Sequence, residues 1–200
     1  MNHKLILLLF ITFLSGSPAI SFAQQDSTKS AEPQYTKRLF LLGSIGLAKM
    51  NYHDGLEKQL DYYRGDVGHF SLDFDFGLYA RLNPYFLLGP VFNIGVDTYK
   101  NGSDWFQVNQ VMLGVSALWN FYPNFEGLYI RGDLGVTNFV IIESLGSNQT
   151  TESGFGSLLS VGYAYPILKT SRIAPYATIQ RSYVDKKKNY RFALGVQFIF

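Results

Sequence analysis

From His69 to Leu82 the chain alternates: Phe70, Leu72, Phe74, Phe76, Leu78, Ala80 and Leu82 take one set of positions, and Ser71, Asp73, Asp75, Gly77 and Arg81 the other. Successive side chains of an extended strand point to opposite faces, so this period of two predicts a strand with one apolar and one polar face. The last segment repeats the pattern, with Tyr190, Phe192, Leu194, Val196, Phe198 and Phe200 set against Arg191, Ala193, Gly195 and Gln197. A third stretch follows it less cleanly, Leu128, Ile130, Leu134 and Val136 opposing Arg131, Asp133, Gly135 and Thr137. No stretch carries a convincing helical period.

The same reading divides the chain into eight strands, Arg38–Asn51, His69–Leu82, Tyr85–Tyr99, Trp105–Phe121, Leu128–Ile142, Gly154–Tyr165, Arg172–Tyr183 and Asn189–Phe200. The connections alternate in character. Asn83-Pro84, Tyr122–Gly127 and Pro166–Ser171 are short, whereas Tyr52–Gly68 and Glu143–Ser153 are longer and more polar. Lys100–Asp104 and Val184–Lys188, on the same side as the longer pair, are compact but polar. Tight turns at one end and longer loops at the other predict an all-β, antiparallel up-and-down barrel spanning a membrane. An even strand number then puts both termini on the turn side.

Alternation by itself leaves open a soluble barrel with its apolar face inward. The chemistry of the polar face separates the two. A soluble barrel would meet water with Lys and Glu, but this face carries Gly, Ser, Ala and Asn with a few charges of both signs. An eight-stranded barrel is just wide enough for side chains to fill, so small residues must offset large ones in its interior. Asp73, Asp75 and Asp133 are expected to meet Arg81, Arg131 and Arg191 across a filled polar lumen, because buried charges persist only when paired. An Arg turned to lipid at mid-bilayer costs about 2–4 kcal/mol, which enforces the same orientation from outside. Aromatic residues gather near the expected strand ends, Tyr85, Phe86, Trp119, Phe121, Tyr122 and Phe125 at the turns and Tyr52, Phe70, Tyr99, Trp105, Phe106, Tyr183 and Tyr190 at the loops. They are expected to form two interfacial girdles.

Composition narrows the class further. At 200 residues with 47% hydrophobic and 16% charged residues, the chain is too apolar for disorder and suits one domain. Residues 1–23 read as a cleaved export signal, with Lys4 before an apolar run from Leu5 to Leu14 and Ser21-Phe22-Ala23 as the cleavage site. That run is too short for a spanning helix, and Gly16 and Pro18 end it. Residues 24–37 read as a polar, flexible periplasmic leader, leaving 38–200 for the barrel. There is no cysteine, hence no disulfide, thiolate metal site or lipid-attachment cysteine. A net charge of +2 argues against a nucleic-acid partner.

The strand pattern and the C-terminal segment Tyr190-Arg-Phe-Ala-Leu-Gly-Val-Gln-Phe-Ile-Phe200 resemble the small outer-membrane β-barrels of the outer membrane protein A transmembrane-domain and outer membrane protein X type. The resemblance covers Arg38–Phe200 and is to an architecture, which does not by itself give function. It implies residence in the outer membrane of a Gram-negative bacterium, among outer-membrane lipid and lipopolysaccharide. It further implies that Val196, Phe198 and Phe200 form the signal read by the barrel assembly machinery; because the sequence stops at the last strand, a peptidoglycan anchor is not expected.

Four candidates for chemistry remain. His69, Ser71, Asp73 and Asp75 share one parity, and some outer-membrane lipid A deacylases use a His-x-Ser pair on a strand. Here, however, the parity points into the lumen and no matching downstream Glu is found, so no catalytic residue is expected. His53 and His69 lack His partners at ligand spacing, so no metal or other cofactor is expected. The first loop carries Tyr62, Tyr63 and Arg64 and is the candidate for recognising an extracellular ligand. Lys186-Lys187-Lys188 marks a hairpin tip that could meet lipopolysaccharide phosphates. The expected function is a non-enzymatic outer-membrane barrel serving envelope integrity or loop-mediated surface recognition. The alternatives are a lipid-modifying barrel enzyme using His69 and Ser71, a soluble periplasmic ligand-binding barrel, and a narrow channel.

Overall fold

A computed structural model of the chain describes residues 39–53, 60, 68–101, 104–123, 125–144, 148–168 and 170–200. The expected export signal and leader, residues 1–37, lie outside them. Nine strands are present: β1 (Leu39–Asn51), β2 (Gly68–Asn83), β3 (Phe86–Asn101), β4 (Asp104–Asn120), β5 (Gly127–Glu143), β6 (Asn148–Thr150), β7 (Gly154–Pro166), β8 (Arg172–Val184) and β9 (Lys187–Ile199). Every pairing is antiparallel, and the long strands close on themselves because β1 pairs with β9 and β4 with β5. One residue level followed round the wall runs from Gln110 through Gly95, Asp73, Gly46, Gly195, Tyr176, Gly162 and Tyr129 to Asn120. It returns to β4 displaced by ten residues, the stagger of a closed barrel whose strands tilt about 35–45°.

The expected eight strands form the closed wall, and β6 is a short addition laid on the edge of β5. β5 runs beyond the start of β7, leaving its upper edge open, and a sheet edge with unpaired amides is a liability. The polar loop folds back there, pairing Thr150 with Val140 and Asn148 with Ile142, and the amide of Phe139 donates to Thr151 Oγ1 at 2.9 Å.

The wall is apolar outside and polar inside. Leu194 is 68% exposed while Arg191, Asp73 and Asp75 are 0% exposed. In water such a wall would leave a broad apolar belt exposed, which is unfavourable, whereas the buried charges inside are paired with one another. The soluble-barrel alternative fails on this point. The outward face of β1 is apolar from Leu39 to Leu47, and those of β3, β5 and β8 from Phe86 to Val96, Leu128 to Val136 and Ile173 to Ile179. Polar outward residues begin only above these limits, consistent with a lipid-facing band about 25 Å tall.

Inside, glycines make room for bulk. A β-carbon at Gly95 would stand 2.3 Å from both Arg191 Nη1 and Met50 Cε, and one at Gly162 2.3 Å from the Tyr129 hydroxyl. Two apolar clusters close the ends of the polar lumen. At the turn end Phe125, in a left-handed backbone conformation (φ 56°), folds inward beside Phe40, Leu42, Tyr79, Leu118 and Tyr129. At the loop end Leu60 is buried among Met50, Tyr52, Tyr99, Phe106, Val108 and Phe139. The expected girdles therefore need correction. Phe125, Tyr52, Tyr99 and Phe106 have inward parity and plug the lumen, whereas Tyr85, Trp119, Phe121, Tyr122, Phe70, Tyr183 and Tyr190 face out.

Candidate functional site

The inward positions of β2, β3, β5 and β9 deliver most of the charged lumen. Asp73 and Asp75 come from β2, Asn93 and Asp97 from β3, Arg131 and Asp133 from β5, and Arg191 and Gln197 from β9, all of them buried. Arg131 Nη2 donates to Asp75 Oδ2 and to Asp133 Oδ2, each at 2.8 Å, and Nε donates to Asp133 Oδ1 at 3.1 Å. The remaining nitrogen, Nη1, reaches Gln197 Oε1 at 3.4 Å. Asn93 Nδ2 ties the two carboxylates together, 2.7 Å from Asp75 and 3.2 Å from Asp133. A guanidinium bonded at every nitrogen is the arrangement that makes a buried charge tolerable.

Arg191 is held more loosely. Its Nη2 forms an ion pair with Asp73 Oδ1 at 2.9 Å, but the N–H is not aligned as a hydrogen bond. Its Nε and Nη1 have no hydrogen-bond partner among the described residues. Asp73 is steadied from the other side by the Tyr176 hydroxyl, which donates to Oδ2 at 2.9 Å.

The structure places Arg81 elsewhere. It lies at the turn-side rim, half-buried, beside the register shift between Arg81 and Asn83. There its Nε donates to the Asn83 carbonyl at 3.3 Å and its guanidinium sits 5.5 Å from the centre of the Phe125 ring. Parity is right for the lumen, but Arg81 lies six residues along β2 from Asp75, two from the turn-side end of the strand, with its guanidinium over the Phe125 ring.

A second polar cluster at the loop-side mouth escaped the sequence reading because its centre, Asp97, was not singled out. Asp97 is buried and accepts from four side chains: Tyr52 and Tyr99 hydroxyls at 2.9 and 2.8 Å on Oδ2, Ser71 Oγ at 2.9 Å and His69 Nε2 at 2.5 Å on Oδ1. The signal available in the sequence was parity, since Asn93, Gly95, Asp97 and Tyr99 alternate with Ile94, Val96 and Thr98. Burial, with the Asp97 charge adding to it, pushes the Tyr52 phenol well above its ordinary pKa and keeps it a donor. The His69 ring stacks on Tyr99 at 4.7 Å, and the amide of His53 donates to Asn189 Oδ1 at 3.0 Å, so both ends of the first loop are tied to the barrel mouth.

This geometry is not that of a nucleophile and its base. In such a pair the histidine stands between serine and carboxylate, taking the serine proton. Here the carboxylate stands between them, and Ser71 donates to Asp97. Among the described residues no group of three or more His, Asp or Glu side chains is placed to hold a metal ion. Tyr62, Tyr63 and Arg64 lie outside the described residues. Val196, Phe198 and Phe200 lie on the outward face at the turn-side end of the chain, the two phenylalanine rings stacked 6.4 Å apart.

No family model and no curated protein matches the sequence. Solved structures do. Ail, the attachment invasion locus protein of Yersinia pestis, crystallised with the heparin analogue sucrose octasulfate, is 11% identical and superposes with a TM-score of 0.52 over 82% of this chain and 98% of its own. A second Ail structure is 14% identical over the same shares, with a TM-score of 0.50. Neisserial surface protein A is 16% identical over 80% of this chain and 95% of its own, with a TM-score of 0.46. At such identities the likeness is one of fold, and it agrees with the inside-outside chemistry of the wall: this chain shares the closed eight-stranded barrel fold of those outer-membrane proteins.

Proposed function

We propose that the protein is a non-enzymatic integral outer-membrane barrel whose working parts are its loops and outer wall, in surface recognition or envelope integrity. The carrying observation is the filled lumen: apolar plugs around Phe125 and Leu60 close both ends, and Arg131 with its carboxylates fills the middle. That filling supports a barrel that does not work as a channel. The bond from Ser71 to Asp97 also leaves no serine–histidine relay. Residues 1–23 serve as export signal and 24–37 as a periplasmic leader in this reading. The outward Val196, Phe198 and Phe200 serve as the assembly signal, and lipopolysaccharide forms the surrounding leaflet.

The test is electrophoretic mobility of the outer-membrane fraction with and without boiling, joined to planar-bilayer current and lipid A analysis. A heat-dependent shift, no unitary conductance, and lipid A unchanged between wild type and Ser71→Ala support the reading. A steady conductance, or lipid A modification lost in Ser71→Ala with the shift retained, overturns it. Tyr62, Tyr63 and Arg64 in the first loop are the proposed contact residues for an extracellular ligand. Since Ail was crystallised with a heparin analogue, heparin is a suitable probe: binding by intact cells should fall when the three are replaced by Ala together.

A further inference from the structure

The outward positions just above the apolar band differ from one side of the barrel to the other. On β4 and β5 they are neutral amides, Gln107, Asn109 and Asn138. On β8, β9 and β1 they are Arg181, Lys188 and Lys49, all exposed. Register brings these three together. Arg181 and Asn51 flank Tyr190 on its two neighbouring strands, Lys49 is the next outward residue below Asn51, and Lys188 is the next outward residue above Tyr190, paired with Tyr183. Lys188 stands four residues along the wall from the level of Lys49, about 13 Å at 3.3 Å per residue, with Arg181 between those levels, so the three cations form a strip along the wall. None of the three has an ion pair among the described residues.

The hairpin that joins β8 to β9 adds a second observation. Asp185 and Lys186 both have left-handed backbone (φ 51° and 61°), a two-residue turn whose second position favours glycine. A lysine there carries a conformational cost and places another cation beside Lys187 and Lys188 at the tip. Among the described residues, Asp185 on the same tip and Glu152 before β7 are exposed acids at this end of the barrel.

We propose that Arg181, Lys188 and Lys49, grouped round Tyr190 on the outer wall, bind the phosphate groups of a phosphorylated glycolipid in the outer leaflet. A cation on the lipid-facing wall at the top of the band has its aliphatic stem in the acyl region and its head at the headgroup level, where only an anionic headgroup compensates it. Two tyrosines, Tyr183 and Tyr190, supply the amphipathic surface suited to that depth. At this height β4 and β5, across the barrel, carry neutral amides, and the other outward cation above the band on β3 is the single Lys100. This inference rests on the membrane-barrel reading given above.

The test uses the full-length mature barrel in detergent micelles, with bisphosphorylated lipid A as the probe and native mass spectrometry as the readout. Wild type should retain lipid A, and the triple variant Lys49→Gln, Arg181→Gln, Lys188→Gln should lose about tenfold or more in affinity while keeping its heat-dependent gel shift. The single variants Lys49→Gln and Lys188→Gln, each expected to lose a smaller fraction, keep the test decisive if the triple variant does not fold. Dephosphorylated lipid A should bind no better to wild type than to the variants. Unchanged retention by the variants, or equal retention of phosphatidylglycerol and lipid A, overturns the proposal. Absence of the gel shift in wild type overturns the barrel reading itself and the proposal with it.

Discussion

Arg131 and Arg191 enter the same lumen from β5 and β9 and are both 0% exposed, yet their surroundings differ. Arg131 meets two carboxylates and a glutamine through every nitrogen of its guanidinium. Arg191 forms an ion pair with one carboxylate, and its Nη1 lies against Gly95 without a hydrogen-bond partner among the described residues. Equal burial thus conceals two roles. Arg131 is the hub on which Asp75 and Asp133 depend, whereas Arg191 fills volume opened by a glycine and balances Asp73, which Tyr176 also supports.

The comparison is broken most directly at Arg131. Arg131→Ala leaves two buried carboxylates without their cation, and removing one partner of a buried pair typically costs about 3–5 kcal/mol. The variant is expected to fail to refold into lipid vesicles, read as loss of the heat-dependent gel shift. Gly95→Val comes next. Its β-carbon collides with Arg191 and Met50, and overpacking of this kind costs about 1–3 kcal/mol in urea titrations of the refolded barrel. If Arg191 is the obstacle, the penalty of Gly95→Val shrinks in an Arg191→Ala background, a coupling that a double-mutant cycle reads directly. Arg191→Met should cost less than Arg131→Ala, about 1–3 kcal/mol, because one carboxylate alone loses its cation. Adding Asp73→Asn should recover part of the loss. An Arg191→Met effect as large as that of Arg131→Ala would erase the distinction. The smallest change is Ser71→Ala, which removes one of four donors to Asp97 and should cost about 0.5–1.5 kcal/mol.

Alternation along β2, β5 and β9 already separated the lipid face from the lumen face, because a period of two admits one division of residues and lipid excludes charge from one side of it. The alternation of short and long connections likewise marked the two ends of the barrel. Partner choice within the lumen was not legible in the same way. Parity placed Asp73, Asp75, Arg81, Arg131, Asp133 and Arg191 on one face, but which carboxylate meets which guanidinium depends on height, and height depends on the stagger around the closed wall. Arg81 shows the limit: its parity is inward, yet it sits near the turn, over the Phe125 ring.

What the sequence determined by itself is therefore the wall: eight long strands, which face meets lipid, and the low-volume lumen positions, all properties local to one strand. Tertiary structure alone decided the contents. The inward turn of Phe125 and Leu60, the convergence of Tyr52, His69, Ser71 and Tyr99 on Asp97, and the meeting of Arg181, Lys188 and Lys49 outside each join residues from two or more strands. Closure of the barrel with a stagger of ten residues is what sets those strands at matching heights, and no single-strand pattern carries that number.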